Sequence, residues 1–178
     1  GETIKVYEKK RSWYRVKTAH DNYECWMDEN QFEFITQREF EKLRETKSPL
    51  VNDLVEVMKT NDGIHLMTVL LGSNLPNLED GNISIGKLNW KFEGSKVLVT
   101  SVHQKNKIAE NAFMLLNSPY QWGGRSAFGI DCSGFVQLMY KLNGISLPRD
   151  ASQQAAMGQA LSFIEEAEDG DLAFFDNE

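Results

Sequence analysis

The sequence predicts an α+β chain: small β-barrels first, then a mixed domain that opens with helices. Three observations predict it. Short alternating apolar runs separated by turn residues fill residues 1 to about 98. From about residue 104 the apolar period lengthens to that of a helix. A glycine-rich loop then leads into a helix whose first turn carries a cysteine.

The elements follow in order. Ile4, Val6 and Tyr7 open a first strand, Trp13 to Val16 a second, and Tyr23 to Met27 a third. His20-Asp21-Asn22 supplies the turn between the last two. Residues 37–47 have helix-forming composition, and Ser48-Pro49 ends them. Leu54 to Met58 and Ile64 to Val69 flank Asn61-Asp62-Gly63, a hairpin signal. Residues 83–86 and 87–92 read as closing strands, and 97–102 carries the chain onward. Strands at this spacing indicate small barrels.

In the last third, Ile108, Ala112, Leu115 and Leu116 fall on one helical face with Phe113 beside it, and Asn117-Ser118-Pro119 stops that helix. The next helix runs from Asp131 to Asn143, with Phe135, Val136, Met139 and Leu142 sharing a face and Gly144 as its C-terminal cap. Asp150 opens a third helix, with Gln153 as capping-box partner and Gly158 as its close. Residues 170–175 read as a turn into a buried strand. The expected division is 1–47, a first and incomplete barrel with its linker; 48–103, a second; and 104–178, the mixed domain.

Composition narrows the function. The chain has 178 residues, 41% of them hydrophobic and 25% charged. That is ordinary for a globular protein and enough to build a core without staples. The net charge of −7 and the lack of a basic stripe argue against a nucleic-acid partner. The longest apolar run, near residues 66–71, has strand length, far short of a membrane span. No signal peptide is visible, which says little for a sequence that does not begin with Met. The two cysteines, Cys25 and Cys132, fall in different expected domains. That disfavours a disulfide, and without Cys-x-x-Cys spacing they do not make a zinc site.

The segment with chemical content is Pro119-Tyr120-Gln121-Trp122-Gly123-Gly124, followed after six residues by Asp131-Cys132-Ser133-Gly134-Phe135. A cysteine in the first turn of a helix faces unpaired N–H groups and the positive end of the dipole, which favour a thiolate. The glycines admit a second backbone. Tyr120 and Trp122 offer an aromatic wall and a phenol donor. For an isolated cysteine the blander reading, a small buried thiol among turn glycines, would win. The length of this motif and the helix-start position favour a nucleophile.

These two blocks, with Leu147-Pro148-Arg149-Asp150-Ala151-Ser152-Gln153-Gln154 and Gly170-Asp171-Leu172-Ala173-Phe174-Phe175 in that order, resemble the NlpC family of bacterial cell-wall cysteine peptidases, which have a papain-like core. The resemblance covers about residues 104–178. The β region resembles two bacterial SH3-like domains, on Gly72-Ser73-x-Leu75-Pro76 and its aromatic placement.

The resemblance implies Cys132 as nucleophile and Tyr120 as an oxyanion-hole donor. It implies Asp131, Ser133 and Asp150 as groups that hold the peptide's polar atoms, and Trp122 as cleft wall. The implied substrate is a peptidoglycan stem peptide cut between D-glutamate and the diamino acid, with the SH3-like domain nearest the cleft helping to select a free peptide N-terminus. The implied location is the cell envelope, periplasmic or secreted. No metal or cofactor is implied, and nothing in the sequence sets an oligomeric state. Beside these roles stand plainer ones: Asp131 and Asp150 are good helix N-caps, Arg149 suits a structural pairing near the cleft, and Cys25 suits a small core residue.

A cysteine peptidase also needs a base, in this family a histidine on the strand after Gly-Asp-Leu-x-Phe-Phe. His20 and His65 fall in the β region and His103 in the linker, none well placed for that task. Three expectations compete: a chain that continues past Glu178, a binding module with an inactive core, or a base supplied by a partner chain. An amidase or acyltransferase of the same superfamily is disfavoured by Asp-Cys-Ser-Gly-Phe together with Leu-Pro-Arg-Asp.

Overall fold

The computed structural model describes residues 1–85, 88–99 and 105–175. The chain divides into two units, Gly1–Val99 and Thr100–Glu178.

The first unit begins with an antiparallel meander, β1 (Ile4–Lys10), β2 (Trp13–Thr18) and β3 (Glu24–Asp28). Its register places Val6 opposite Val16 and Val16 opposite Cys25, with a bulge at Tyr7. Val16 is wholly buried. Tyr14, Phe32 and Phe34 meet edge to face, with centroids 5.2–5.8 Å apart. Helix α1 (Gln37–Glu45) follows, closed at its start by a full capping box between Thr36 and Glu39.

A second sheet has the order β6-β5-β8-β7, from β5 (Val55–Thr60), β6 (Leu66–Leu70), β7 (Asn82–Ile85) and β8 (Leu88–Lys91). Beside it β4 (Leu50–Val51) pairs with β9 (Lys96–Val97). The β5–β6 turn is the expected one: the Gly63 N–H donates to the Thr60 carbonyl, and Ile64 N–H to the Asp62 carboxylate. Val51, Met58, Val69, Leu75, Ile83 and Phe92 form the core. Burying each such side chain contributes about 1.5–3 kcal/mol. Among the described residues these strands form open ladders, and they belong to one unit rather than to two separate ones. His65 is exposed and precedes β6, rather than lying in a strand among apolar neighbours.

The second unit holds α2 (Lys105–Ala112), α3 (Cys132–Leu142) and α4 (Ala151–Ala155). Between α2 and α3 the short strands β10 (Arg125–Ser126) and β11 (Gly129–Ile130) form a hairpin. Its buried apolar residues include Ile108, Leu115, Ile130, Leu138, Met139, Leu142 and Leu147. After α2 the chain tightens into a 3-10 turn at Phe113–Leu115. The tighter winding changes the face each residue takes. Leu115 stays buried, but Leu116 stands exposed, against the expected shared face, and Phe113 beside it is exposed as well.

Two further expectations fail here. Asp150 holds the N-cap position of α4, but its side chain makes no capping bond, so the Asp150–Gln153 capping box does not form. Residues 171–175 are exposed and carry no strand assignment. A strand exists only through a ladder with a neighbour, and no described strand pairs with this segment.

Candidate active site

Helix α3 begins at Cys132, and its two ends are closed by different devices. At the C-terminus Asn143 is the cap and Gly144 takes a positive φ of 80°. Gly144 N–H donates to Lys141 O, and Ile145 N–H to Tyr140 O. That pair of bonds is a Schellman motif. At the N-terminus Asp131 is the cap, and its Oδ1 accepts the Gly134 N–H at 2.7 Å.

Asp131 does more than cap. Its Oδ2 accepts the Gly123 N–H at 2.9 Å. Arg149 grips the same carboxylate with two bonds, Nη1 to Oδ1 at 3.0 Å and Nη2 to Oδ2 at 2.6 Å. Arg149 Nη1 also donates to Ser133 Oγ at 2.9 Å. Asp131, Ser133 and Arg149 are all buried. A buried pair is tolerable when both charges are matched and the remaining lone pairs are used, as they are here. Burial pushes the Asp131 carboxyl up. The Arg149 guanidinium and the Gly134 and Gly123 N–H groups outweigh it and hold that carboxyl below the ordinary range.

This clamp joins three segments: the glycine loop, the first turn of α3, and the Leu147–Asp150 stretch. The loop is fixed along its length as well. Gln121 N–H donates to Ile130 O, Ile130 N–H to Pro119 O, and Asp131 N–H to Gly124 O. A Cβ on Gly134 would lie 2.5 Å from the Gly124 carbonyl oxygen, and one on Gly124 would lie 2.3 Å from that of Gly129. Gly134 therefore lets helix and loop approach each other, and Gly124 lets the loop close on β11.

On this frame Cys132 stands exposed, the first residue of α3. Tyr120 bridges to Ile130, two residues before it, and its ring is 67% exposed. Trp122 is 87% exposed. Asp150 is exposed, and its carboxylate has no bonded partner among the described residues. The structure thus brings Asp131, Ser133 and Arg149 into direct contact below an open surface that carries Cys132. Among the described residues, no hydrogen bond joins the side chain of Tyr120, Trp122 or Asp150 to Cys132. Cys25 is half-buried on β3 and free; burial, and then the charge of Asp21, push its thiol up. His20 and His65 lie in the first unit, and His103 lies outside the described residues. No described group of His, Cys, Asp and Glu could hold a metal ion. Among the described residues no helix is long and apolar enough to cross a membrane.

Sequence reading passed over two buried glutamines. Gln137 of α3 donates to Leu147 O at 2.9 Å, and Gln154 of α4 donates to Ser133 O at 3.0 Å. Polar residues on an amphipathic pattern are read as surface, so nothing local marks them.

Residues 117–178 match the NlpC/P60 family, and residues 1–32 match the bacterial dipeptidyl-peptidase SH3 domain. The chain carries an NlpC/P60 domain behind an SH3-like one. An NlpC/P60 family protein from Bacillus cereus superposes with a TM-score of 0.80 at 26% identity, over 96% of this chain and 61% of that one. A γ-D-glutamyl-L-lysine dipeptidyl-peptidase of Bacillus cereus is 28% identical over 98% of this chain and 58% of its own length. A Bacillus subtilis protein of the same name is 46% identical over 38% of this chain and 23% of its own. Dipeptidyl-peptidase 6 of Lysinibacillus sphaericus is 26% identical over 98% of this chain and 71% of its length. The chain thus spans about three fifths of the Bacillus cereus relative.

Proposed function

We propose that the NlpC/P60 domain supplies the nucleophile of a cysteine peptidase that cuts peptidoglycan stem peptides at the γ-D-glutamyl–diamino acid bond. The observation that carries this is the placement of Cys132: exposed, at the first residue of a helix whose N-cap is locked by a buried ion pair. The relatives named for γ-D-glutamyl-L-lysine peptides support the substrate class.

In this reading the Cys132 thiolate attacks the γ-carbonyl carbon of D-glutamate. Negative charge grows on the carbonyl oxygen, and the exposed phenol of Tyr120 is the donor offered to it. Collapse expels the diamino acid's amine and leaves an acyl-enzyme, which water then hydrolyses. Trp122 forms a wall of the cleft. Asp150 presents an open carboxylate to the peptide's polar groups, while Asp131 and Ser133 act from beneath through Arg149. The β region, divided at about residue 48 into two SH3-like parts, docks on the wall or selects the peptide's end. The site of action is then the cell envelope or outside it.

No histidine lies between Gln104 and Glu178, so the proton acceptor is not a histidine of this stretch. The alternative reading is a murein-peptide binding module without turnover. One experiment addresses the nucleophile directly. Iodoacetamide is offered at pH 7 and each cysteine is followed by peptide mass spectrometry. Cys132 is expected to label about tenfold faster than Cys25. Equal rates would sink the nucleophile reading. Binding of muramidase-released stem peptides to Cys132→Ala, with cleavage by the unsubstituted chain, then separates peptidase from binder.

A further inference from the structure

Gln154 is 3% exposed, the most buried polar side chain after Gln137 among the described residues of the second unit. Its Nε2 donates to two carbonyl oxygens, Ser133 O at 3.0 Å and Pro148 O at 2.9 Å. Both neighbours are acceptors, so only the nitrogen side of the amide can face them, and its orientation is set. Ser133 follows Cys132 directly, and Pro148 precedes Arg149 directly. One amide therefore ties the backbone next to the nucleophile to the backbone next to the residue that clamps Asp131.

Gln137 makes the reciprocal stitch, reaching from α3 to Leu147 O. The two glutamines join α3 to the 147–154 stretch in both directions, with no charge involved. Helix α4 has only five residues and could not stand alone in water. Its place depends on such ties. Within α3, a carbonyl in the first turn already accepts from the N–H four residues on. The bond from Gln154 is thus a second one, and it adds orientation to a group already satisfied.

We propose that Gln154 is a positioning residue for Cys132, holding the first turn of α3 against the Arg149 segment so that the backbone carrying the thiol keeps its place at the helix start. The consequence for cysteine chemistry rests on the nucleophile reading above; the consequence for the helix turn does not. The hydrogen bonds of Gln154 go to backbone carbonyls and not to the side chains of the ion pair, so it acts through the backbone it holds.

The test uses the 178-residue chain with Gln154→Leu, which removes both polar atoms at similar volume, and Gln154→Glu, which sets a carboxylate against two carbonyl oxygens. Thermal melting establishes that each variant is folded at the working temperature. Labelling of Cys132 by iodoacetamide is then measured relative to Cys25 in the same sample. Hydrogen exchange is followed separately for the 131–137 stretch and the 140–145 stretch. The expected result is a ratio lowered about fivefold in Gln154→Leu, the worth of an aligned helix terminus, and lower still in Gln154→Glu. Protection is lost over 131–137 and kept over 140–145. A lower melting temperature with unchanged ratio and unchanged protection at 131–137 would overturn the proposal, because Gln154 would then be packing alone. Loss of protection along all of α3 would overturn it too. Should Gln154→Glu not fold, Gln154→Leu decides. Should Cys132 in the unsubstituted chain label no faster than Cys25, the nucleophile reading fails, and exchange at 131–137 still decides the role of Gln154.

Discussion

Two aspartates stand at the starts of two helices a short way apart in sequence, and they behave differently. Asp131 is buried, caps α3 through Gly134, receives Gly123 and is held by both arms of Arg149. Asp150 is exposed and caps nothing with its side chain, although its backbone carbonyl accepts the first bonds of α4, from Gln153 and Gln154. The same residue type at the same position serves as a structural hub in one case and an open charge in the other. Burial and the reach of a buried cation decide which.

The largest effect should come from Asp131→Ala. It removes the carboxylate that takes both arms of the buried Arg149, which costs about 3–5 kcal/mol. Urea unfolding followed by circular dichroism measures it, and a loss under 1 kcal/mol would show that the pair is not the clamp described.

The pH dependence sharpens the contrast. The folded carboxyl of Asp131 lies below its unfolded value, so its stabilisation is complete above the unfolded pKa of about 3.9 and is lost as pH falls through the folded value. Stability of the second unit should therefore drop below about pH 4, and Asp131→Asn should flatten that drop. An unchanged acid profile in Asp131→Asn would assign the drop to other carboxylates.

The smallest effect is expected from Asp150→Ala. With no capping bond to lose, its stability should stay within about 0.5 kcal/mol of the unsubstituted chain. Its binding of stem peptides should weaken, read by calorimetry on a Cys132→Ala background. A stability loss near 1 kcal/mol would mean that the cap forms in solution.

Much of this was legible in the residues because the signals are local. The strands of the first unit, the hairpin at Asn61–Gly63 and both ends of α3 follow from turn residues, alternation and caps within a few positions. What was not legible depends on partners distant in sequence. The segment 171–175 has a strand's composition but no described neighbour to pair with. The burial of Gln137, Gln154 and Lys141 follows from α3 being enclosed on several sides, which an amphipathic pattern does not express. Cys132 at a helix start was legible; the Arg149 clamp beneath it was foreseen only as a pairing near the cleft, without its partner.

The glycines where loop meets helix carry a consequence for redesign. At Gly124 and Gly134 the nearest carbonyl oxygen lies where a first side-chain carbon would have to go. The shape of this site is partly encoded by atoms that are missing. A library that randomises the loop and the start of α3 to change specificity therefore has two positions with no vocabulary beyond glycine. Diversity has to be spent at outward-facing residues such as Tyr120, Trp122 and Asp150, which the fold leaves open to solvent.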